Sequence, residues 1–127
     1  MPAENILIVD DDPLIGIAFQ RELGAEGYQV DSVLSGEEAL KAVRLKKYDL
    51  GLIDKDMPGM DGIETCREIV KLCPGMILVF MTGLFDQNNY AKECQFVEAG
   101  GRSYNLYKPF RQGELRAVIR KALQEKF

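Results

Sequence analysis

Several polar residues of this sequence each follow a short apolar run, and their side chains are suited to binding a cation and a phosphoryl group. Asp10 and Asp11 follow the first run, Asp54 a later one, and Thr82 and Lys108 two more. A carboxylate can attack phosphorus as a nucleophile and form an acyl phosphate. A lysine ammonium group and a threonine hydroxyl can donate hydrogen bonds to phosphoryl oxygens. If folding gathers these groups, they can perform phosphoryl transfer.

The same acids predict a divalent cation. Two carboxylates about 4 Å apart repel each other by roughly 4 kcal/mol at an effective dielectric near 20. Lys108 supplies one compensating charge, and a metal ion would supply the rest. Mg²⁺ fits best because it prefers oxygen ligands and keeps open positions for a phosphoryl group. Calcium is disfavoured because the sequence has no EF-hand spacing.

The elements that must position these groups alternate regularly along the chain. Apolar runs at residues 6–9, 28–34, 50–53, 76–81 and 104–107 predict five strands, each followed by a segment with helical spacing. Strict alternation predicts an α/β fold, a doubly wound parallel sheet with helices on both faces. Such sheets bind ligands at the carboxyl ends of their strands. The polar residues named above therefore meet at one edge of the sheet.

The predicted helices have recognisable starts and apolar faces. Asp12 is the expected N-cap of the first helix, with Pro13 in its first turn, and residues 35–38 read as a capping box. Asp61-Gly62 predicts the start of the third helix, and a fourth is expected over residues 86–99. The predicted core-facing residues are Ile15, Ala18, Phe19 and Leu23 in the first helix, Ala39, Leu40 and Val43 in the second, Ile63, Cys66, Val70 and Cys73 in the third, and Leu115, Val118, Ile119, Ala122 and Leu123 in the last.

Composition and charge limit the class of protein. A chain of 127 residues fits one domain, and its net charge of −4 argues against nucleic acid as a direct partner. The sequence contains no apolar run long enough to cross a bilayer and no signal-peptide pattern at its start. Three cysteines without histidine or a C-x-x-C pair indicate packed thiols rather than zinc. We therefore expect a cytoplasmic protein without membrane contact.

Four blocks of the sequence resemble the receiver domains of bacterial response regulators. They are D-D-D-P at 10–13, D-K-D-M-P-G-M-D-G at 54–62, M-T-G at 81–83 and Y-K-P-F at 107–110. They stand in the family's order, and the resemblance covers essentially the whole chain. It implies one CheY-like receiver domain over residues 1–127, with a flavodoxin-like (βα)5 fold and strand order 2-1-3-4-5.

The resemblance also implies a function in two-component phosphorelay signalling. A sensor histidine kinase or a histidine phosphotransfer protein would donate the phosphoryl group, and the domain would then control an unidentified output partner or output domain. The domain would not be a turnover enzyme, although it would lose the group slowly by autodephosphorylation. Phosphorylation-dependent dimerisation is a further expectation.

Carried over residue by residue, the resemblance implies that Asp54 is the phosphoacceptor. Asp11 and Asp54 would bind Mg²⁺ directly, Asp10 would assist through water, and the backbone carbonyl of Asp56 would complete the protein ligands. Within the triple aspartate we assign the metal ligands to Asp10 and Asp11, which directly follow the apolar run, and the helix cap to Asp12.

The remaining carried-over residues concern the switch. Thr82 and Lys108 would contact the phosphoryl group, and Pro109 would follow a cis peptide bond that aims the lysine. The family usually has an aromatic residue three positions before the lysine, whereas this chain has Asn105 there. The segment between Thr82 and the lysine is slightly longer than usual, and Gly101-Arg102 replaces the common Gly-Ala. The candidate readout residues are Asn105, Tyr104 and Tyr107.

Two other functions share some of these features. A phosphatase of the haloacid dehalogenase type also uses a D-x-D nucleophile, as in Asp54-Lys55-Asp56, but there the motif follows the first strand of a longer chain. A flavin-binding module has a similar topology, but no phosphate-binding loop follows the first strand here. Steady turnover of phosphate esters would favour the phosphatase, and a self-hydrolysing label the receiver. The sequence leaves open whether the chain is a stand-alone receiver or part of a longer protein.

Overall fold

Strands and helices alternate along the chain as predicted. The computed structural model describes residues 4–55, 57–83, 89–101, 105–108 and 113–124, with the backbone alone at 82, 83, 89–93 and 105–108. Of the helices in these ranges, none combines the length and apolar character needed to cross a membrane. The elements are β1 (Asn5–Val9), α1 (Pro13–Ala25), β2 (Gln29–Val33), α2 (Gly36–Leu45), β3 (Leu50–Asp54), α3 (Gly62–Leu72), β4 (Ile77–Gly83), α4 (Asn89–Glu98), β5 (Asn105–Lys108) and α5 (Glu114–Gln124).

The five strands form one parallel sheet in the order β2-β1-β3-β4-β5, which confirms the predicted order. From β1 the chain first adds a strand on one side and then crosses to the other, so the order reverses between β1 and β3. Val9 pairs with Ile53 across these two strands. Asp10 follows Val9 and Asp54 follows Ile53. The topology therefore brings the two aspartates together at the crevice where such sheets bind ligands.

The sheet is buried on both faces by helices. Alternate residues of β1 point to opposite faces, as the strand period requires, so its uninterrupted apolar run serves two cores. One core lies on the side of α2 and α3 and contains Leu7, Val9, Ile53, Leu78, Phe80, Ile63, Ile69 and Phe96. The other lies on the side of α1 and α5 and contains Ile6, Ile8, Leu52, Val79, Phe19, Leu23, Leu115 and Ile119.

Side-chain caps begin the first three helices where the sequence predicts them. Asp12 accepts a hydrogen bond from the N–H of Leu14 at 3.0 Å, and Asp61 accepts one from the N–H of Glu64 at 2.9 Å. Ser35 Oγ likewise accepts from the N–H of Glu38 at 3.1 Å. The reciprocal half of the capping box differs in one detail, because the Glu38 carboxylate accepts from the N–H of Leu34 rather than from that of the cap residue.

The predicted core face of α1 is wrong at Ala18, which is exposed. The buried residues of this helix are Gly16, Phe19 and Leu23. A Cβ atom on Gly16 would lie 2.6 Å from Ser32 Oγ on β2, so the glycine allows the helix to approach the strand. This close approach turns the face carrying Gly16 towards the sheet and Ala18 towards solvent.

The bounds of β4 and β5 also differ from the prediction. β4 continues to Gly83, so Thr82 lies within the strand, and β5 includes Lys108, whereas Tyr104 of the predicted strand lies outside the described part. α4 spans Asn89–Glu98, whereas residues 86–88 of the predicted helix lie outside the described part. The reason is that a strand ends where its ladder to the neighbouring strand ends, and a single apolar run does not reveal this pairing.

The structure gives a reason for the glycine at position 101. Phe80 of β4 stacks on Phe96 of α4, with ring centroids 4.4 Å apart and ring planes 21° apart. A Cβ atom on Gly101 would overlap the ring of Phe96. An alanine at position 101 is therefore incompatible with the position of this ring.

Candidate functional site

The carboxylates of Asp10, Asp11 and Asp54 gather at the carboxyl ends of β1 and β3. One oxygen from each residue lies within 4.8 Å of the others. The side chains of Asp10 and Asp54 are buried, at 2% and 6% exposure, whereas Asp11 is exposed. The cluster thus has a buried floor and one side open to solvent.

Hydrogen bonds fix the chain that leaves β1 and separate the roles of the three consecutive aspartates. The backbone N–H of Asp10 donates to the carbonyl of Val33 at 3.2 Å. Asp10 Oδ1 accepts from the N–H of Asp12 at 2.9 Å. Asp12 caps α1 and is not a member of the carboxylate cluster, so its predicted cap role is confirmed. The residues that cluster with Asp54 are those assigned from the sequence.

The chain that leaves β3 is held by two backbone hydrogen bonds of Lys55, the residue after Asp54. The N–H of Lys55 donates to the carbonyl of Met81 at 2.9 Å, and the N–H of Gly62 donates to the carbonyl of Lys55 at 3.2 Å. A Cβ atom on Gly62 would overlap the carbonyl oxygen of Asp54. Glycine therefore allows α3 to begin directly against the end of the strand.

Backbone pairing brings Thr82 and Lys108 to the same end of the sheet. Asp54 on β3 pairs with Met81 on β4. The next two residues of β4 pair with β5, Thr82 with Tyr107 and Gly83 with Lys108. Asn105 pairs with Phe80, nearer the middle of the strand. The side chains of Thr82, Lys108, Asn105 and Tyr107 lie outside the described part of the structure. Asp56, Tyr104 and Pro109 lie outside it entirely.

The donor set of the cluster suits a hard divalent cation. Carboxylate oxygens are the ligands that Mg²⁺ prefers, at about 2.0–2.1 Å from the ion. Three oxygens already within 4.8 Å of one another need only small side-chain adjustments to share one ion. Their mutual repulsion gives the binding of a cation a clear electrostatic gain.

An exposed apolar surface lies beside the acidic cluster. Leu14 and Ile17, in the first turns of α1, are 69% and 53% exposed. They are three positions apart and so lie on the same side of the helix. The sequence carries a signal for this surface, because these two apolar residues fall outside the predicted core face of α1.

A second polar group lies on β2, away from the cluster. Tyr48 donates its hydroxyl to Asp31 Oδ2 at 2.7 Å, and Lys46 Nζ lies 3.0 Å from the same oxygen. The hydrogen bond from Tyr48 and the weaker effect of Lys46 together hold the pKa of Asp31 below its usual value, against the opposing effect of burial. This group links β2 to the segment before β3.

Comparison with known proteins gives matches over nearly the whole chain. The family model for the response regulator receiver domain matches residues 6–120. The DNA-binding response regulator MtrA of Mycolicibacterium smegmatis is 35% identical over 121 residues, which cover 95% of this chain and 51% of that protein. The transcriptional regulatory protein ZraR of Salmonella typhimurium is 40% identical over 119 residues, covering 94% of this chain and 26% of that protein.

A solved structure gives the same result for the fold. The crystal structure of a CheY-like response regulator receiver domain protein from Methanospirillum hungatei JF-1 matches with a TM-score of 0.87 at 31% identity. The match covers 98% of this chain and 96% of that one. In contrast, the chain spans about half the length of MtrA and about a quarter of ZraR.

Proposed function

The chain belongs to the response regulator receiver domain family, and we propose that it accepts a phosphoryl group on Asp54 in a Mg²⁺-dependent reaction. The observation that carries this proposal is the cluster of Asp10, Asp11 and Asp54 at the point where the strand order reverses. Membership of this family also decides between the alternatives, because it assigns the chain to receivers and not to dehalogenase-type phosphatases or flavin-binding modules.

In the proposed reaction, a carboxylate oxygen of Asp54 attacks the phosphorus atom of a phosphohistidine. A new P–O bond forms while the P–N bond breaks, and the imidazole nitrogen keeps the electron pair of that bond. Asp10 and Asp11 would hold the cation beside Asp54, with the carbonyl of Asp56 as a further ligand. Bound Mg²⁺ would neutralise charge on the transferring phosphoryl oxygens.

Thr82 and Lys108 are proposed to contact the phosphoryl group once it is attached. The support is the strand register, which brings the backbone of both residues to the carboxyl end of the sheet beside Asp54. A hydroxyl and an ammonium group there can donate to phosphoryl oxygens that exist only in the modified state. Asn105, Tyr104 and Tyr107 remain the proposed readout residues.

We further propose that the acyl phosphate is lost slowly by hydrolysis. The domain then returns to its unphosphorylated state without acting on an external substrate. The open side of the cluster at Asp11 supports this, because it allows water to reach the phosphoryl group. Residues 1–127 are proposed to form one receiver domain that works in the cytoplasm.

The proposed donor is a sensor histidine kinase or a histidine phosphotransfer protein. A protein donor must bring its phosphohistidine to the acidic cluster, and Leu14 and Ile17 offer an apolar contact surface directly beside it. The matched relatives are longer than this chain. An output domain or a separate output partner, and dimerisation on phosphorylation, are therefore further parts of the proposal.

Labelling with radioactive acetyl phosphate tests the proposed acceptor. Wild-type protein and Asp12→Asn should take up label in Mg²⁺ and none in EDTA, because Asn preserves the helix cap and leaves the cluster intact. Asp54→Asn should take up none. Label on Asp54→Asn that survives acid, as phosphoserine or phosphothreonine does, would contradict the assignment.

A further inference from the structure

A carboxylate from α2 holds the far end of the loop that follows Asp54. Glu37, in the first turn of α2, accepts a hydrogen bond on Oε1 from the backbone N–H of Met60 at 3.0 Å. The two residues are 23 positions apart in the sequence. This bond therefore joins the loop to an element that contributes no carboxylate to the cluster.

Close packing surrounds this hydrogen bond. Gly59 adopts a positive φ of 76°, and a Cβ atom there would lie 3.3 Å from Glu37 Oε1. A Cβ atom on Gly36 would lie 3.0 Å from both Cγ and Sδ of Met60. The first turn of α2 and the turn at Gly59 and Met60 therefore touch directly, and the Glu37 carboxylate lies against the tightest part of the loop.

The near end of the same loop is attached to the sheet. The N–H of Lys55 bonds to the carbonyl of Met81, and the carbonyl of Lys55 accepts from the N–H of Gly62. Lys55, at the start of the segment between β3 and α3, is thus bonded to β4 and to the first residue of α3, and Met60, near the end of the segment, is bonded to α2. Without the Glu37 carboxylate, the N–H of Met60 loses the hydrogen bond that joins this segment to α2.

We propose that Glu37 is a positioning residue that sets the affinity of the acidic cluster for Mg²⁺. By holding Met60 it fixes the path of the chain that leaves Asp54. This inference rests on the proposed function, in which Asp54 and the carbonyl of Asp56, a residue of the same sequence segment, bind the ion. Mg²⁺ demands nearly ideal octahedral geometry, and groups that orient metal ligands affect affinity without touching the metal.

Glu38 provides a matched control for Glu37. The two glutamates are adjacent in the first turn of α2, both are exposed, and each accepts a hydrogen bond from a backbone N–H. The partner of Glu38 is Leu34, just before the helix, at 3.2 Å. Replacing Glu38 therefore weakens the start of α2 without releasing the loop after Asp54.

The test measures the Mg²⁺ dissociation constant of the full chain by isothermal titration calorimetry. Glu37→Ala should raise it about three- to tenfold, less than the 10–100-fold typical of direct partners of metal ligands, because Glu37 acts through the backbone. Glu37→Gln should stay near wild type because its amide oxygen accepts the same N–H. Glu38→Ala should also stay near wild type, and hydrogen exchange of the Met60 amide without metal should accelerate in Glu37→Ala alone.

Three results would overturn the inference. They are an unchanged dissociation constant in Glu37→Ala, an equal weakening in Glu38→Ala, and a Glu37→Gln variant as weak as Glu37→Ala, which would indicate charge instead of the hydrogen bond. If wild-type protein binds Mg²⁺ and is phosphorylated while Glu37→Ala binds equally well, the inference alone fails. If the wild-type chain binds no Mg²⁺, the proposed function fails and the inference fails with it.

Discussion

The acidic cluster should make the metal-free domain less stable than a variant with one carboxylate fewer. Charges within 4.8 Å of each other repel by about 3.5 kcal/mol or more at an effective dielectric of about 20. The buried pair of Asp10 and Asp54 dominates, since Asp11 is exposed. Both buried carboxylates also interact with other groups, and the open side of the cluster at Asp11 lets solvent screen part of this repulsion. We expect Asp54→Asn to raise the free energy of unfolding in EDTA by about 1–3 kcal/mol.

Mg²⁺ should reduce this difference. An ion at 100 times its dissociation constant stabilises the folded state by about 2.7 kcal/mol. If Asp54→Asn binds the ion tenfold more weakly, the same concentration stabilises that variant by about 1.4 kcal/mol. The advantage of the variant should therefore shrink by about 1.3 kcal/mol between EDTA and Mg²⁺.

Urea unfolding followed by far-ultraviolet circular dichroism measures both quantities. Asp12→Asn is the matched control, because it makes the same Asp-to-Asn change next to the cluster but outside it and keeps a favourable cap. It should change the free energy of unfolding by less than about 0.5 kcal/mol. The reasoning is refuted if Asp54→Asn destabilises the metal-free protein, or if Mg²⁺ stabilises wild type and Asp54→Asn equally.

Three further substitutions test other parts of the structure. Leu14→Ser should slow phosphotransfer from a phosphohistidine protein but not from acetyl phosphate, because only a protein donor needs the apolar surface; equal slowing with both donors would count against docking there. Tyr48→Phe should lower the free energy of unfolding at neutral pH. This loss should disappear as the pH falls through the lowered pKa of Asp31, and a loss that persists in acid would contradict the role of the hydrogen bond. Gly101→Ala should cost about 1–3 kcal/mol in urea unfolding because the added methyl group displaces the ring of Phe96, and a neutral result would show that the ring moves freely.

The position of the acidic cluster could be predicted because it depends on local signals. Uninterrupted apolar runs identified β1 and β3, and strict alternation with helices required parallel strands. The carboxyl ends of those strands had to lie at the same edge of the sheet, so the sequence alone predicted that Asp10 and Asp54 lie close together. The role of Asp12 was equally local, because an N-cap followed by Pro13 is a contiguous pattern.

Contacts between distant segments could not be predicted in the same way. The hydrogen bond from Met60 to Glu37 depends on how α2 is placed against the loop after β3. The sequence of neither segment indicates that the two are in contact. The exposure of Ala18 depends on Gly16 meeting Ser32 of a neighbouring strand. Similarly, the need for glycine at position 101 depends on Phe96 stacking on Phe80, a contact between α4 and β4. These features arise from tertiary packing, which the periodicity of a single segment does not reveal.

Chemical mapping of the modified residue tests the central claim most directly. Borohydride reduces an acyl phosphate on aspartate to homoserine, and peptide mass spectrometry then locates the converted residue after treatment with acetyl phosphate and Mg²⁺. We predict homoserine at position 54 and none at positions 10, 11 or 12. Conversion at one of those three positions, or conversion at position 54 that proceeds equally well in EDTA, would contradict the account.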